Sequence, residues 1–328
     1  MAKNFTICVG TLGMGLWRSP DGGVTWARGR VGNGNQGGKS VYGLTVHPGN
    51  PSMIYAGTDE GLFRSDDRGA SFKRVPSPMD GLRVWRVAVD PVDPDTVFAG
   101  TSPVLIFRSR NAGESWEMVC DDFVEECVNV GVPRVTALVI DPTDHRTIWT
   151  SVEVDGVRRS TDGGDTWTRV SGGGLEEPDV HDITPVPSSP KTIIATIEYD
   201  VLISADMGET WRNILGEGNH FPMRYTRCVT LKEGDPDVMF VATGDQSIGD
   251  EGAIQRSLDG GKTWETPQLP VAPSSHIECF ATHPADPDLV LACTHYGQLF
   301  GSSDGGDWWV KLHKEVTENR GALVWVPN

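Results

Sequence analysis

The sequence contains no run approaching about 18 consecutive apolar residues, so it offers no candidate membrane-spanning helix. It is short of positive charge: 28 Lys and Arg stand against 45 Asp and Glu, a net charge of −17. A surface this acidic repels phosphate backbones and anionic lipid, so neither nucleic acid nor a membrane is expected as a partner. Cysteine is sparse and unpatterned. The six residues are Cys8, Cys120, Cys127, Cys228, Cys279 and Cys293, with no Cys-x-x-Cys pair. Reduced, mostly buried thiols are expected, although Cys120 and Cys127 can pair in an oxidising compartment. The apolar stretch near the start is short and interrupted by Thr6, unlike a signal-peptide core, so a cytoplasmic location is expected.

Turn formers and tryptophan are plentiful. Gly (39) and Pro (22) together make 61 of 328 residues, yet 38% hydrophobic content and 11 Trp exclude a disordered chain. Length alone would suggest two domains. An internal repeat suggests otherwise. The pattern Ser-x-Asp-x-Gly-x-(Ser/Thr)-Trp begins at Ser19, Ser65, Ser109, Ser160, Ser204, Ser257 and Ser302, with steps of 46, 44, 51, 44, 53 and 45 residues. Its third positions are Asp21, Asp67, Asn111, Asp162, Asp206, Asp259 and Asp304. Trp26, Phe72, Trp116, Trp167, Trp211, Trp264 and either Trp308 or Trp309 close the copies.

Each period carries four β-branched runs bounded by Pro, Asp and Gly, the pattern of strands and turns. In one period these are Val135–Ile140, Thr147–Val152, Val157–Ser160 and Trp167–Val170. Four antiparallel strands per ~45 residues predict a propeller blade. The N-terminus supplies three strands, Thr6–Thr11, Gly15–Ser19 and Thr25–Arg28, and the C-terminus one, Ala322–Val326. The expectation is an all-β, seven-bladed β-propeller forming one domain over residues 1–328. Its seventh blade combines 321–328 with 4–29, so paired terminal strands close the ring.

The repeated motif is that of the Asp box, or BNR repeat, and the whole chain resembles the sialidase-like BNR propellers. The resemblance implies that the boxes are structural turns between the third and fourth strands of a blade. It also implies an arginine triad, a Tyr/Glu nucleophile pair and an Asp acid, for which Tyr225, Glu278 and three Arg are suggestive. The family's Arg-Ile-Pro segment is absent and the Arg spacing differs. True sialidase activity is therefore not expected.

The Pro-rich loops on the Asp-box side are uniform, whereas those on the other side vary strongly, which marks the variable side as the working face. The first strand of each blade lines the channel. At its mouth the aligned positions are Ser40, Arg83, Arg134, Asp179, Tyr225 and His276, and then Tyr42, Trp85, Thr136, His181, Arg227 and Glu278. In the composite blade the equivalents are Asn319, Gly321 and, deeper, Leu323, with Arg320 beside them. Deeper, an apolar wall of Leu44, Val87, Leu138, Ile183, Val229 and Phe280 is expected.

Polar groups where packing favours apolar ones suggest a site. His276, Glu278, His181 and Tyr225 are the candidate catalytic residues. Arg83, Arg134, Arg227, Arg320, Trp85, Tyr42 and Tyr296 are the candidate substrate contacts, since guanidinium forks bind anions bidentately. A divalent metal held by His181, His276, His295 and Glu198 is a further possibility. The reading is a hydrolase or lyase acting on a small polar or anionic molecule such as a sugar acid, lactone or ester. The alternative is a non-catalytic binding or assembly scaffold using the variable loops, including the Gly-rich loop 32–38.

Overall fold

A computed structural model gives the structure and describes residues 4–32, 38–127, 131–175, 179–187, 192–215, 218 and 220–328. Most of the Gly-rich loop 32–38 lies outside the described residues, as do parts of the loops near 130, 177 and 217.

The recurring Ser-x-Asp-x-Gly turns shape the local structure. At the first, the Asp21 carboxylate accepts hydrogen bonds from the Ser19 hydroxyl (2.9 Å), the Thr25 amide (2.8 Å) and the Thr25 hydroxyl (2.6 Å). The Ser19 hydroxyl in turn accepts from the Gly23 amide (2.8 Å), and Trp26 Nε1 donates to the Gly23 carbonyl (3.0 Å). Gly23 has φ 94°, which favours glycine. The strand after the turn is Ala27–Val31 rather than Thr25–Arg28, because Thr25 and Trp26 are committed to the turn.

Asn111 works in place of Asp because its Oδ1 accepts from the Ser115 amide while Nδ2 donates to the Ser115 hydroxyl. In the last copy Trp309 is the closing aromatic: it is 1% exposed and donates to the Gly306 carbonyl, whereas Trp308 is 71% exposed. Hydroxyl and amide donors hold the carboxyls of Asp21, Asp162, Asp206 and Asp259 at about 2.

These turns carry a stability prediction. Ser160 is buried, and its hydroxyl accepts a hydrogen bond from the Gly164 amide at 2.9 Å. Ser160→Ala strands that amide and is expected to cost about 1–3 kcal/mol, read as a lower urea midpoint at unchanged slope. An unshifted midpoint would show that the turn does not depend on the hydroxyl.

The described strands form antiparallel sheets, and no α-helix occurs among the described residues. One sheet has eight strands, in the order Leu323–Pro327, Phe5–Thr11, Gly15–Ser19, Ala27–Val31, Ser71–Arg74, Gly61–Ser65, Asn50–Thr58 and Val41–His47. It consists of two antiparallel four-stranded groups joined by a short parallel contact, Arg30 to Ser71 and Val31 to Phe72. The C-terminal strand pairs with the N-terminal one in a continuous register from Phe5–Pro327 to Val9–Leu323.

The other sheets have four strands each, except the one built from Tyr225–Lys232, Asp235–Gly244 and Gly252–Ser257. Its fourth strand is reduced to a bridge between Arg256 and Glu265. Pro267 and Pro270 follow at once and lack the amides a ladder requires.

The first strands of successive groups pack side by side in chain order, and Leu323–Pro327 contacts both its predecessor and Val41–His47. Apolar clusters fill the spaces between neighbouring sheets. Phe5, Ile7 and Val9 enter one cluster with Leu291 and Trp325, while Cys8 enters the next with Leu16, Val41 and Ile54. Alternation along one strand thus feeds two cores. All six cysteines are free; Cys8, Cys279 and Cys293 are buried, and Cys120, Cys127 and Cys228 are partly so.

Candidate functional site at the channel mouth

Every complete innermost strand breaks register at the same place. The shifts fall between Val41 and Gly43, Val84 and Arg86, Val135 and Ala137, Val180 and Asp182, Thr226 and Val229, and Ile277 and Cys279. The bulged residues are Tyr42, Trp85, Thr136, His181, Arg227 with Cys228, and Glu278. A bulge adds one residue to one strand and re-aims the side chains after it.

The deeper wall therefore differs from the expected apolar one. Leu44, Val87, Leu138 and Ile183 pack into the cores between sheets instead. A cavity of about 160 Å³ is lined by Arg86, His181, Asp182, Arg227, Cys228, Glu278 and Cys279. Val229 and Phe280 touch it and also belong to those cores. One extra residue per strand reverses which face its successors present.

A belt of contacts runs around the mouth. Tyr42 stacks on Trp85 at 4.2 Å, and the Arg134 guanidinium lies 4.6 Å from the Trp85 ring centre. Arg134 pairs with Glu153 at 2.6 Å. Asp179 lies 3.7 Å from His181 Nε2, while His181 Nδ1 meets the Thr226 carbonyl at 2.6 Å. The Tyr225 ring sits between those of His181 (5.3 Å) and His276 (5.2 Å). His276 then stacks on His295 (5.0 Å), and His295 touches Tyr296 (4.9 Å). Arg320 pairs with Glu318 at 2.9 Å, and Glu318 approaches His295 Nε2 at 3.3 Å.

Beneath the belt, Glu278 is 1% exposed. Its Oε1 accepts from Arg227 Nε (3.0 Å) and Nη2 (2.9 Å), and its Oε2 lies 2.9 Å from His276 Nε2. The candidate residues thus divide. Tyr42, Trp85 and Arg134 form one group with Glu153, and His181, Tyr225, His276, Glu278, Arg227 and Tyr296 form another around His295. Arg320 reaches the second through Glu318. Arg83 is exposed at the start of its strand, outside both groups. His276 and His295 converge with Glu278, whereas His181 meets Thr226 and Asp179, and neither it nor Glu198 belongs to that group. The expected metal set of His181, His276, His295 and Glu198 is therefore not the group that comes together.

The electrostatics separate the carboxyls. Burial pushes the Glu153 carboxyl up against the opposing pull of Arg134, and the Asp179 charge pushes it further. Burial also acts upward on Asp179, but the nearby His181 ring and the charges of Arg227 and Arg134 bring it below its ordinary value. Burial likewise acts upward on Glu278, and Arg227 and the two histidines overcome it, holding the group well below the usual range. Burial lowers His276, against the pull of Glu278. Asp182 is raised to about 6 by desolvation, partly offset by the Val229 amide and the Arg86 charge. Glu153 and Asp182 were not among the candidates, since nothing in their local sequence marks such shifts.

The sequence profile of the Sortilin-Vps10 family (Sortilin, neurotensin receptor 3) matches residues 199–322. Among curated proteins, the chain is similar to a probable oligoxyloglucan-reducing end-specific xyloglucanase of Neosartorya fischeri. That match is 24% identical over 284 residues and covers 71% of this chain and 34% of that protein. A xyloglucanase of Hypocrea jecorina is 27% identical over 341 residues, covering 87% and 39% respectively. The chain spans only about a third of the length of these relatives. Among solved structures, the GH74 xyloglucanase from Xanthomonas campestris superposes with a TM-score of 0.65 at 20% identity, over 83% of this chain and 45% of that one. YCF48 from Cyanidioschyzon merolae gives 0.58 at 14%, over 85% and 88%. With its all-β sheets and these neighbours, the chain has the fold of a β-propeller.

Proposed function

We propose that the channel mouth is the active site of a hydrolase acting on a polar, carbohydrate-type molecule, with Glu153 as proton donor and Asp179 as its ionised partner. The scaffold is read as one domain over residues 1–328: a seven-bladed, Asp-box propeller whose last blade joins both termini. Paired terminal strands and the chain-order packing of the inner strands support that reading.

The observation that carries the function is the opposite displacement of two neighbouring carboxyls at one mouth, Glu153 upward and Asp179 downward. Such divergence is the pattern that assigns acid and base roles to a pair of carboxyls. The pairing and burial of Glu278 and His276 move the acid–base role away from them. Arg134, beside both Glu153 and Trp85, is placed to hold an anionic or hydroxyl-rich group. The xyloglucanase relatives favour a saccharide over a lactone or ester.

The test is turnover on a panel of xyloglucan oligosaccharides and simple glycosides. Glu153→Gln is expected to lower kcat by roughly 10²–10⁴-fold, and to remove the limb of the pH profile on which activity falls as Glu153 ionises. Wild-type rates in that variant, or no turnover of any saccharide by the wild type, would overturn the reading.

A second reading has its own support. Ile248, in the variable loop 244–252, is 69% exposed, and Tyr296 is 43% exposed. One structural neighbour is YCF48 bound to D1 peptide. A peptide-binding scaffold would depend on these loop residues and would be indifferent to Glu153→Gln.

A further inference from the structure

We infer that His276, Glu278 and His295 form a binding site for a divalent transition-metal ion of the zinc class, independent of the Glu153–Asp179 pair. One ligand atom from each of the three lies within 4.8 Å of the others. The side chains are 1%, 1% and 3% exposed.

A neutral His295 cannot satisfy both of its carboxylate neighbours. Glu278 Oε2 faces His276 Nε2 at 2.9 Å and His295 Nδ1 at 3.4 Å. The second contact is not aligned as a hydrogen bond, and His295 Nδ1 is a buried nitrogen without a hydrogen-bond partner. The other nitrogen of the same ring, Nε2, faces the Glu318 carboxylate at 3.3 Å. Either neutral tautomer of His295 therefore aims a lone pair at a carboxylate. A metal ion between Nδ1 and Oε2 removes the conflict, because Nε2 then carries the proton and donates it to Glu318.

That arrangement matches how proteins support metals. A ligating histidine donates its second N–H to a carboxylate, and a ligating carboxylate is itself hydrogen-bonded. Glu318 meets the first requirement. Arg227 meets the second, since it bonds Oε1 and leaves Oε2 for the ion. His276 binds through Nε2 by moving its proton to Nδ1, which is buried without a partner. No net proton is released. Two imidazoles and one carboxylate suit zinc, with a fourth position left to water. Glu318 is 38% exposed, which gives the ion a path from the mouth.

The experiment uses the full chain, stripped with chelator and titrated with Co²⁺ as the optical probe. One equivalent is expected to give the visible bands of low-coordinate Co²⁺, and Zn²⁺ is expected to displace it and raise Tm. His295→Gln is expected to abolish the bands. Glu318→Gln, at a partly exposed position, keeps the test open if the buried variant does not fold. It is expected to weaken binding by roughly 10–100-fold. His181→Gln is expected to titrate like wild type. No Co²⁺ bands from the wild type, or bands that persist in His295→Gln, would overturn the proposal. In that case a doubly protonated His295 holds the two carboxylates together. Turnover is not read at any step, so failure here leaves the hydrolase reading standing.

Discussion

Arg227→Met is expected to destabilise the protein by about 3–5 kcal/mol, the cost of leaving a buried charge without its partner. Arg227 and Glu278 are 6% and 1% exposed, and the guanidinium reaches one carboxylate oxygen through two nitrogens. Water cannot replace it at such burial. The two histidines remain, but burial keeps His276 neutral, so it offers a hydrogen bond rather than a charge. Urea denaturation at neutral pH measures the loss. The double variant Arg227→Met, Glu278→Leu is expected to recover most of it, because no charge is then stranded.

The pH dependence distinguishes a stranded charge from lost packing. In the wild type the Glu278 carboxyl lies well below its unfolded value of about 4.5. Its contribution is therefore full above that value and is lost as pH falls through the folded one. In Arg227→Met the main force holding it down is gone, and burial favours the neutral acid. The gap between variant and wild type is then expected to narrow as pH falls from 7 towards 4. A gap that stays constant across that range would mean that Arg227 acts through packing alone.

Much of the fold was legible because the sequence states it repeatedly. Seven copies of one turn, six built on Ser, Asp and Gly and one with Asn111 in the Asp place, leave little freedom in the elements between them. Strand ends missed by one to three residues, as where the Thr25 amide is committed to the Asp21 turn and the strand begins only at Ala27. The mouth residues were legible as departures from apolar packing. The depth below them was not, because period-two alternation assumes a regular ladder and no residue type announces a bulge. Tyr42, Trp85, Thr136, His181, Arg227 and Glu278 share a structural position without sharing chemistry. Cross-sheet partners were equally hidden. Glu153 meets Arg134 across its own hairpin, but Asp179, whose charge raises it further, precedes the first strand of the next sheet.

Arg86 shows what the bulge accomplishes, and its replacement is the second large effect expected. The shift after Trp85 turns Arg86 toward the cavity. There its Nε donates to the Thr136 carbonyl at 2.6 Å, and Nη1 donates to the carbonyls of Tyr42 (3.1 Å) and Trp85 (2.9 Å). One side chain thus ties together the inner strands of three neighbouring sheets. Its charge also opposes the rise of Asp182. Arg86→Met keeps much of the volume and removes all three donors. A loss of about 3 kcal/mol or more is expected if each abandoned carbonyl costs about 1 kcal/mol or more.

Gly321 supplies the independent check. It has φ 99°, and a Cβ there would lie 2.9 Å from Arg86 Nη2. Gly321→Ala in the wild type meets both backbone strain and the guanidinium. In the Arg86→Met background only the backbone strain persists, at about 1–3 kcal/mol. The two substitutions are therefore expected to cost less together than the sum of their separate effects. Strict additivity in the double-mutant cycle would mean that Arg86 does not occupy the channel beside Gly321.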